Sequence, residues 1–246
     1  MTGMAASRVL VLFARAPRRE AREKGLASAS GERLFAAFAR GWIDAAAVCG
    51  ARVLVATPPG DRPAWRQALP DARFAFLEQR GDSLGSRLED AARRASAPGG
   101  CVVLVGGDVA PSAPNLTAAF ERREAGVDAV VSPAGDGGVS LVSLRDEDLG
   151  LLGHFAPRRA DVFSRLSRSL ARRGRRIAVV APAHDVDGRR ELGRLLRTTA
   201  FPSFELEALA RAVLDEKRWD PAPIAPRFNR LLHVEPLASR GPPRAA

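Results

Sequence analysis

The chain has 246 residues, of which 46% are apolar, and a formal net charge of +10. This length fits one large α/β domain or two small ones. No run of about 18 apolar residues is present, which predicts no membrane span. The short apolar run near the N-terminus continues into a predicted strand without a signal-peptide cleavage pattern, so we expect a cytoplasmic protein.

The positive charge is distributed in a way that does not favour nucleic-acid binding. Lys24 and Lys217 are the only lysines, and the arginines are scattered or lie in short runs without interleaved aromatic residues that would stack on bases. We therefore expect a solvated basic surface and no nucleic-acid partner. The two cysteines, Cys49 and Cys101, belong to no metal-binding pattern, so we expect two small buried side chains and no zinc site.

Apolar runs and helical periodicities alternate along the chain, which predicts a doubly wound, mostly parallel α/β sheet with helices on both faces. A charge-rich loop is expected over Arg15–Ser30. The predicted strands are Arg8–Ala14, Arg52–Ala56, Arg73–Leu77, Val102–Val105, Asp128–Ser132, Val139–Leu144 and Ile177–Ala181. The predicted helices are Leu34–Ala45, Pro63–Ala68, Leu84–Ala95, Asn115–Glu124, Phe163–Leu170, one starting near Arg189, and Phe204–Leu214. We expect this domain to cover residues 1–199 and residues 200–246 to add a helix and a tail rich in proline and arginine.

The most informative segment is Cys101–Pro111, where a predicted strand ends at Gly106-Gly107-Asp108. Ligands bind at the carboxyl ends of the strands in open α/β sheets. The two glycines would let a bulky group approach the backbone, and the Asp108 carboxylate could bind a hard cation. Asp108 could equally cap a helix or stabilise a turn, since aspartate is favoured in both places.

Acidic residues also follow a later predicted strand, in the segment HDVDG. Asp185 and Asp187 could converge with Asp108 on one Mg²⁺ that bridges phosphate oxygens. The alternative is that Asp187 only caps the helix that starts near Arg189.

Two further segments have a functional and a structural interpretation. The turn Asp136-Gly137-Gly138 lies between two predicted strands, where a hairpin needs no function. The segment Gln79–Leu88 could present backbone N–H groups at a helix start to a base or phosphate, although a capped helix start has the same pattern. No nucleophile elbow, P-loop or dinucleotide fingerprint is present, so serine hydrolases, P-loop kinases and Rossmann oxidoreductases lose their main support.

Five segments occur in a fixed order along the chain: LFARAP (Leu12–Pro17), GDSLGSRL (Gly81–Leu88), VVLVGGDVAP (Val102–Pro111), VSPAGDGGVSLVSL (Val131–Leu144) and DVDGRREL (Asp185–Leu192). Together they resemble the DUF2064 family, whose members are called selenodomain-associated transferases or are assigned provisionally to an arsenosugar pathway as glycosyltransferases. The resemblance extends from about Arg8 to Arg197. It implies a GT-A-like nucleotide-diphospho-sugar transferase fold and kinship with nucleotidyltransferases.

The resemblance also implies roles for individual residues. Asp108 would bind Mg²⁺ or Mn²⁺, with Asp187 and Asp185 as further metal ligands. The turn formed by Asp136, Gly137 and Gly138 would lie on the side of a small-molecule acceptor. The residues implied to bind the nucleotide or sugar-nucleotide donor are Phe13, Ala14, Arg15, Ala16, Pro17, Lys24, Gly81, Gly85, Arg87, Gly106 and Gly107.

The sequence departs from the family pattern in the loop that should face the phosphates. Where the family has Pro-Gly and Lys-Thr-Arg, this chain has Arg19-Glu20 and Glu23-Lys24-Gly25. Val139 stands in place of a tyrosine and Gly188 in place of a threonine. Two hypotheses therefore stay open. One is a metal-dependent transferase with a nucleotide-activated donor, acting by glycosyl or nucleotidyl transfer. The other is a catalytically degenerate relative that binds a ligand or a protein.

Overall fold

Seven strands form one mixed sheet in the computed structural model, which describes residues 7–156, 160–197, 201 and 203–216. The strands are β1 (Arg8–Phe13), β2 (Arg52–Thr57), β3 (Ala75–Glu78), β4 (Cys101–Gly106), β5 (Ala129–Pro133), β6 (Val139–Leu144) and β7 (Ile177–Val179). They lie in the order β3-β2-β1-β4-β6-β5-β7.

The sheet is mostly parallel, as the sequence predicts. β1 runs parallel to β2 on one side and to β4 on the other, and β2–β3 and β5–β7 are also parallel pairs. β6 is antiparallel to β5, to which a short turn joins it, and also to β4 on its other side. Phe13 at the end of β1 lies beside Gly106 at the end of β4, so two strand-end loops meet at the same edge of the sheet.

Helices cover both faces of the sheet, which confirms the doubly wound α/β prediction. They are α1 (Pro17–Glu23), α2 (Ala29–Val48), α3 (Arg62–Ala68), α4 (Leu84–Ala95), α5 (Ala113–Glu124), α6 (Val162–Arg172), α7 (Arg189–Arg197) and α8 (Phe204–Asp215), with 3-10 helices at Pro59–Asp61 and Asp146–His154. One face packs α2, α3 and α5 around Trp42, Trp65 and Phe120. The other packs α4, α6 and the second 3-10 helix around Leu152 and Leu166.

Trp42 on α2 links this core to the loop that follows β4. Its ring is fully buried, and its indole N–H donates to the carbonyl of Val109 over 2.9 Å. Truncating a buried tryptophan to alanine costs about 3–5 kcal/mol, so the anchor is a strong one. Cys49 and Cys101 are both buried free thiols, as predicted.

The predicted loop over Arg15–Ser30 is wrong, because it contains α1 and the start of α2. Pro17 lies in the first turn of α1, where a backbone N–H has no partner within the helix, so the N–H that proline lacks costs no hydrogen bond. The chain entering α1 is fixed by a bond from Ala16 N to the Asp61 carboxylate over 2.9 Å. Ser28 then caps α2 by accepting a hydrogen bond from Gly31 N at 3.0 Å.

The 3-10 helix at Asp146–His154 was not predicted. Tertiary ion pairs stabilise it, since the fully buried Asp148 lies 2.9 Å from Arg173 and 2.7 Å from Arg175. Both arginines follow α6 in the chain, and no local sequence pattern predicts that they pair with Asp148. The strands end within two residues of their predicted limits.

Helix α8 packs against α2 and α7 through Phe35, Leu192 and Val213. The predicted tail after α8 lies outside the described residues, so the division at residue 199 stays a prediction. Among the described residues, none of the helices has both the length and the apolar character needed to cross a bilayer.

Candidate functional site

A cleft of about 710 Å³ opens at the carboxyl ends of β1 and β4, beside the turn between β5 and β6. Six carboxylates and three cationic side chains line it. They are Arg15, Glu20, Glu23, Lys24, Arg87, Asp108, Asp136, Asp185 and Asp187. The cleft is therefore acidic, although the whole chain carries a net charge of +10.

A second groove, of about 680 Å³, lies beside Cys101 at the opposite edge of the sheet. Its two arginines are engaged within the protein. Arg8 pairs with Glu124 at 2.6 Å, and Arg123 donates to backbone carbonyls, including that of Asp128 at 2.9 Å. The acidic cleft is thus the candidate functional site.

The loops after β1 and β4 approach each other closely because position 107 is glycine. Gly107 N donates to the carbonyl of Phe13 over 3.1 Å. A Cβ atom on Gly107 would lie 2.3 Å from the Cβ of Ala14, which is far inside van der Waals contact. The structure therefore brings together Phe13, Ala14, Gly106 and Gly107, all from the predicted donor site, in one wall of the cleft.

Asp108 is held beside the later acidic segment by backbone hydrogen bonds. Val186 N donates to the carbonyl of Asp108, and Ala110 N donates to the carbonyl of His184, each over 2.9 Å. We call this pairing of residues 108–110 with 184–186 the seam. Helix α5 is capped by Ser112, so Asp108 is not needed as a helix cap, and the seam leaves its carboxylate in the cleft.

The turn between β5 and β6 brings a third acidic position into the cleft. Gly137 has φ +88°, and Asp136 accepts a hydrogen bond from Gly138 N over 2.8 Å, which fixes the turn. Carboxylate oxygens of Asp136, Asp185 and Asp187 lie within 4.8 Å of one another. The family resemblance implies an acceptor-side position for Asp136, whereas its carboxylate lies next to two of the predicted metal ligands.

Burial raises the pKa of Asp185 to about 6, and the negative charges of Asp136, Asp108 and Asp187 add to the increase. Each cause opposes ionisation, because a carboxylate loses hydration on burial and is repelled by neighbouring carboxylates. The cluster is thus a place where positive charge is strongly favoured.

Lys24 supplies positive charge to this cluster. Its ammonium lies 2.6 Å from Asp108 Oδ2 and also donates to Asp187 Oδ1. Burial alone lowers the pKa of Lys24, but the charges and hydrogen bonds of the two aspartates outweigh it and raise the pKa above its usual value. Lys24 is therefore a charged bridge between the two strand-end segments.

Arg15 and Glu20 form a second pair in the cleft. Glu20 is almost fully buried on α1, and its carboxylate lies 3.2 Å from an Arg15 nitrogen. Burial and the negative charge of Asp108 raise the pKa of Glu20, and Arg15 opposes this. The Arg15 guanidinium, which the family resemblance assigns to the donor, is thus partly neutralised by this chain's own carboxylate.

The start of α4 is a capped helix. Ser83 and Ser86 form a reciprocal capping box that uses the backbone N–H of Ser86. Gly85 packs against the 3-10 helix, since a Cβ there would lie 2.6 Å from the carbonyl oxygen of Leu152. Arg87 lines the cleft and donates to Gln79 Oε1 over 3.4 Å.

Some of the predicted site residues do not line the cleft. Ala16 and Pro17 are buried at the start of α1, and Gly81, Gly85 and Gly137 shape neighbouring turns and contacts. Sequence reasoning missed Glu20 as a cleft residue, although its place in the family's Pro-Gly position was a usable signal. Gln79 was predicted only as the start of a segment of backbone donors, and Ser140, for which the sequence pattern carries no signal, was missed.

The donor set fits a hard divalent cation. Asp108, Asp136, Asp185 and Asp187 offer only carboxylate oxygens, which suit Mg²⁺ and Mn²⁺. Neither histidine nor cysteine lines the cleft in the part of the chain that the structure describes, and soft metals prefer those ligands.

A family model described as "Uncharacterized protein conserved in bacteria (DUF2064)" matches residues 43–170. A search of curated proteins found no match.

Solved structures share the fold at low sequence identity. The "putative nucleotide-diphospho-sugar transferase" of Desulfovibrio desulfuricans G20 has a TM-score of 0.70 and 24% identity, over 85% of this chain and 97% of that one. A Methanothermobacter nucleotidyl transferase has a TM-score of 0.52 and 17% identity, over 78% and 99%. A CMP:2-keto-3-deoxy-manno-octonic acid synthetase complexed with CTP has a TM-score of 0.51 and 15% identity, over 80% and 99%. These matches establish a GT-A-like nucleotide-diphospho-sugar transferase fold.

Proposed function

The chain belongs to the DUF2064 family, and on that premise we propose that it is a metal-dependent transferase acting on a nucleotide-activated donor. One observation carries the proposal: three separate segments of the chain bring four aspartates to the carboxyl edge of the sheet. In open α/β sheets this edge is where ligands bind. The fold shared with nucleotide-sugar and nucleotidyl transferases supports the same class of substrate.

The residues that would hold Mg²⁺ or Mn²⁺ are Asp136, Asp185 and Asp187, with Asp108 beside them. Bound there, the cation supplies positive charge that neutralises phosphate oxygens of the donor and of the leaving group. Asp136 lies in a hydrogen-bonded turn, and Asp108 and Asp185 lie in the seam, so backbone hydrogen bonds bring these carboxylates together before any ligand arrives.

The charge of the cleft supports a requirement for metal. Six carboxylates against three cations would repel a nucleoside phosphate. Two unit charges about 4 Å apart interact by ~4 kcal/mol at an effective dielectric of 20. A divalent cation removes that barrier, so we expect donor binding to depend on it.

The donor would lie along the wall built from the ends of β1 and β4. Gly107 lets the ends of these two strands pack closely, and both Gly106 and Gly107 line the cleft where the donor would lie. Arg87 is the cationic side chain on the α4 side of the cleft, where it can contact a base or phosphate. Glycosyl and nucleotidyl transfer break different bonds of the donor, and both use these contacts.

Calorimetric titration with nucleoside triphosphates and sugar nucleotides, with and without Mg²⁺ or Mn²⁺, tests the proposal. We expect donor binding only with metal, weakened about tenfold or more by Asp108→Ala, since loss of a charged partner costs ~1.5–3 kcal/mol. Asp44→Ala, on the exposed side of α2, is the matched control and should bind as the wild type does. Donor binding that is indifferent to metal and to Asp108 would refute the proposal.

A second candidate, a catalytically degenerate binding module, rests on the pairing of Arg15 with Glu20. In this pair the positive charge of Arg15 is neutralised by Glu20, so it is less available to the donor phosphates. Donor hydrolysis by water in place of the acceptor, followed by ³¹P NMR, separates the two candidates. Metal-dependent binding with measurable hydrolysis favours the transferase, and binding without any turnover favours the degenerate relative.

A further inference from the structure

Lys24 lies between two of the four carboxylates that are proposed to surround a divalent cation. Its ammonium contacts Asp108 Oδ2 at 2.6 Å and also binds Asp187 Oδ1. Asp108 lies in one side of the seam and Asp187 directly follows the other, and the lysine side chain is only 14% exposed. A divalent cation that used these two oxygens would compete with the ammonium, because the two positive charges repel each other.

We propose that Lys24 is a built-in counter-ion of the metal site, which the divalent cation must displace in order to bind Asp108 and Asp187. This inference rests on the proposed function and deepens it, since it makes Lys24 a residue that determines the affinity of the site for metal. In the absence of metal, the ammonium keeps the acidic segments together. When the cation binds, the ammonium leaves the aspartates and remains in the cleft as a positive group available to an anionic donor.

The backbone around Lys24 lets the side chain move without unfolding the helix. Lys24 N donates to Glu20 O at 3.0 Å, and Leu26 N donates to Ala21 O at 2.8 Å, so both flanks of the residue are fixed. The lysine stem has four rotatable carbons and a compact charge at its end. Displacement therefore needs only side-chain rotation, and the cost to be overcome is the loss of the two ion pairs.

Lys24 should have opposite effects on the affinity for the metal and on the affinity for the donor. Removal of its charge should strengthen metal binding, because nothing then competes for the two aspartates. The same removal should weaken donor binding to the metal-loaded protein, because a cation has been lost from the cleft. A residue with a purely structural role would change both affinities in the same direction.

Mn²⁺ titration monitored by electron paramagnetic resonance, without any nucleotide, is the direct test. We expect Lys24→Met to bind Mn²⁺ about tenfold or more tightly than the wild type, since ~1.4 kcal/mol of relieved repulsion is a tenfold change. Lys24→Gln keeps a hydrogen-bond donor without the charge, and it should show the same gain if the methionine variant is poorly folded. Lys24→Arg should stay near the wild-type affinity.

Arg22→Met is the matched control, because Arg22 is an exposed cation in the last turn of α1, two residues before Lys24, and does not line the cleft. Its Mn²⁺ affinity should equal that of the wild type. If the wild type binds Mn²⁺ but Lys24→Met and Lys24→Gln bind it equally or more weakly, the role of Lys24 is refuted. The proposed metal site is not refuted by that result. Absence of Mn²⁺ binding in the wild type and in every Lys24 variant would overturn both.

Discussion

Asp185 should destabilise the metal-free protein at neutral pH, and Asp185→Asn should therefore stabilise it. The pKa of Asp185 is raised to about 6, chiefly by burial and by the neighbouring aspartates. A carboxyl whose pKa is raised by folding stabilises the fold below its unfolded pKa of about 3.9, and this stabilisation is lost as the pH rises through about 6. Above that pH the folded protein carries the full cost of the buried charge.

The size of this cost follows from the difference between the two pKa values. That difference corresponds to about 3 kcal/mol, and solvent screening of a partly exposed group reduces it to about 2 kcal/mol. For a chain of this size, 1 kcal/mol shifts the melting temperature by about 2–4 °C. We therefore expect Asp185→Asn to melt about 4–8 °C above the wild type at pH 7.5 with chelator present.

Differential scanning calorimetry between pH 4 and pH 8 measures this effect. The gain should shrink toward zero near pH 4, where Asp185 is protonated in the wild type. Asp44→Asn on the exposed surface of α2 should show no such pH-dependent gain. Equal or lower stability of Asp185→Asn at pH 7.5, or a gain that does not change with pH, would show that burial and the neighbouring aspartates do not raise the pKa of Asp185 in the folded protein.

Three further substitutions test other parts of the structure. Gly107→Ala should destabilise the protein by about 1–3 kcal/mol and weaken Mn²⁺ binding, because its Cβ would lie 2.3 Å from that of Ala14; urea unfolding and metal titration measure this. Asp148→Ala should cost about 1.5–3 kcal/mol in urea unfolding, since it removes the carboxylate that pairs with two partly exposed arginines. Glu20→Gln should strengthen binding of a metal–nucleotide complex several-fold in calorimetry, because it frees Arg15 and removes one negative charge.

Each of these substitutions has a control elsewhere in the chain. Gly60→Ala places a Cβ in open space and should be close to neutral. Asp146→Ala removes an exposed carboxylate from the same 3-10 helix as Asp148 and should cost under about 1 kcal/mol. A Gly107→Ala protein with wild-type stability, or a Glu20→Gln protein with weaker donor binding, would contradict the packing and charge arguments respectively.

The core strands could be predicted from the sequence because their signal is local. β1 and β4 are near-continuous apolar runs, as strands buried on both faces must be. The helix α1 was missed although Pro17 is a local signal for its first turn, and the hydrogen bond from Ala16 N that fixes the chain entering it is accepted by Asp61, which is distant in the chain. The 3-10 helix around Asp148 was missed for the same reason, because arginines beyond α6 stabilise it.

The site shows the same division between local and distant information. Asp108, Asp185 and Asp187 each follow a predicted strand, and strand ends alone predict that the three share one edge of the sheet. The neighbourhood of Asp136 with Asp185 depends on the bend of the β5–β6 turn, which sequence spacing does not determine. The family resemblance implies a donor-side position for Lys24. Its contacts with two aspartates depend on how its side chain is oriented in the folded protein, which the sequence does not predict.

The seam makes the cleft depend on a local folding equilibrium of its own. It consists of a few backbone bonds, including those from Val186 N and Ala110 N, and lies outside the main strands of the sheet. Short pairings of this kind can open without global unfolding. Opening would separate Asp108 from Asp185 and Asp187 while the sheet stays intact, so only molecules with a closed seam would present all three carboxylates together. Amide hydrogen exchange at Val186 would measure it, and a bound divalent cation would slow that exchange by the factor by which it favours the closed seam.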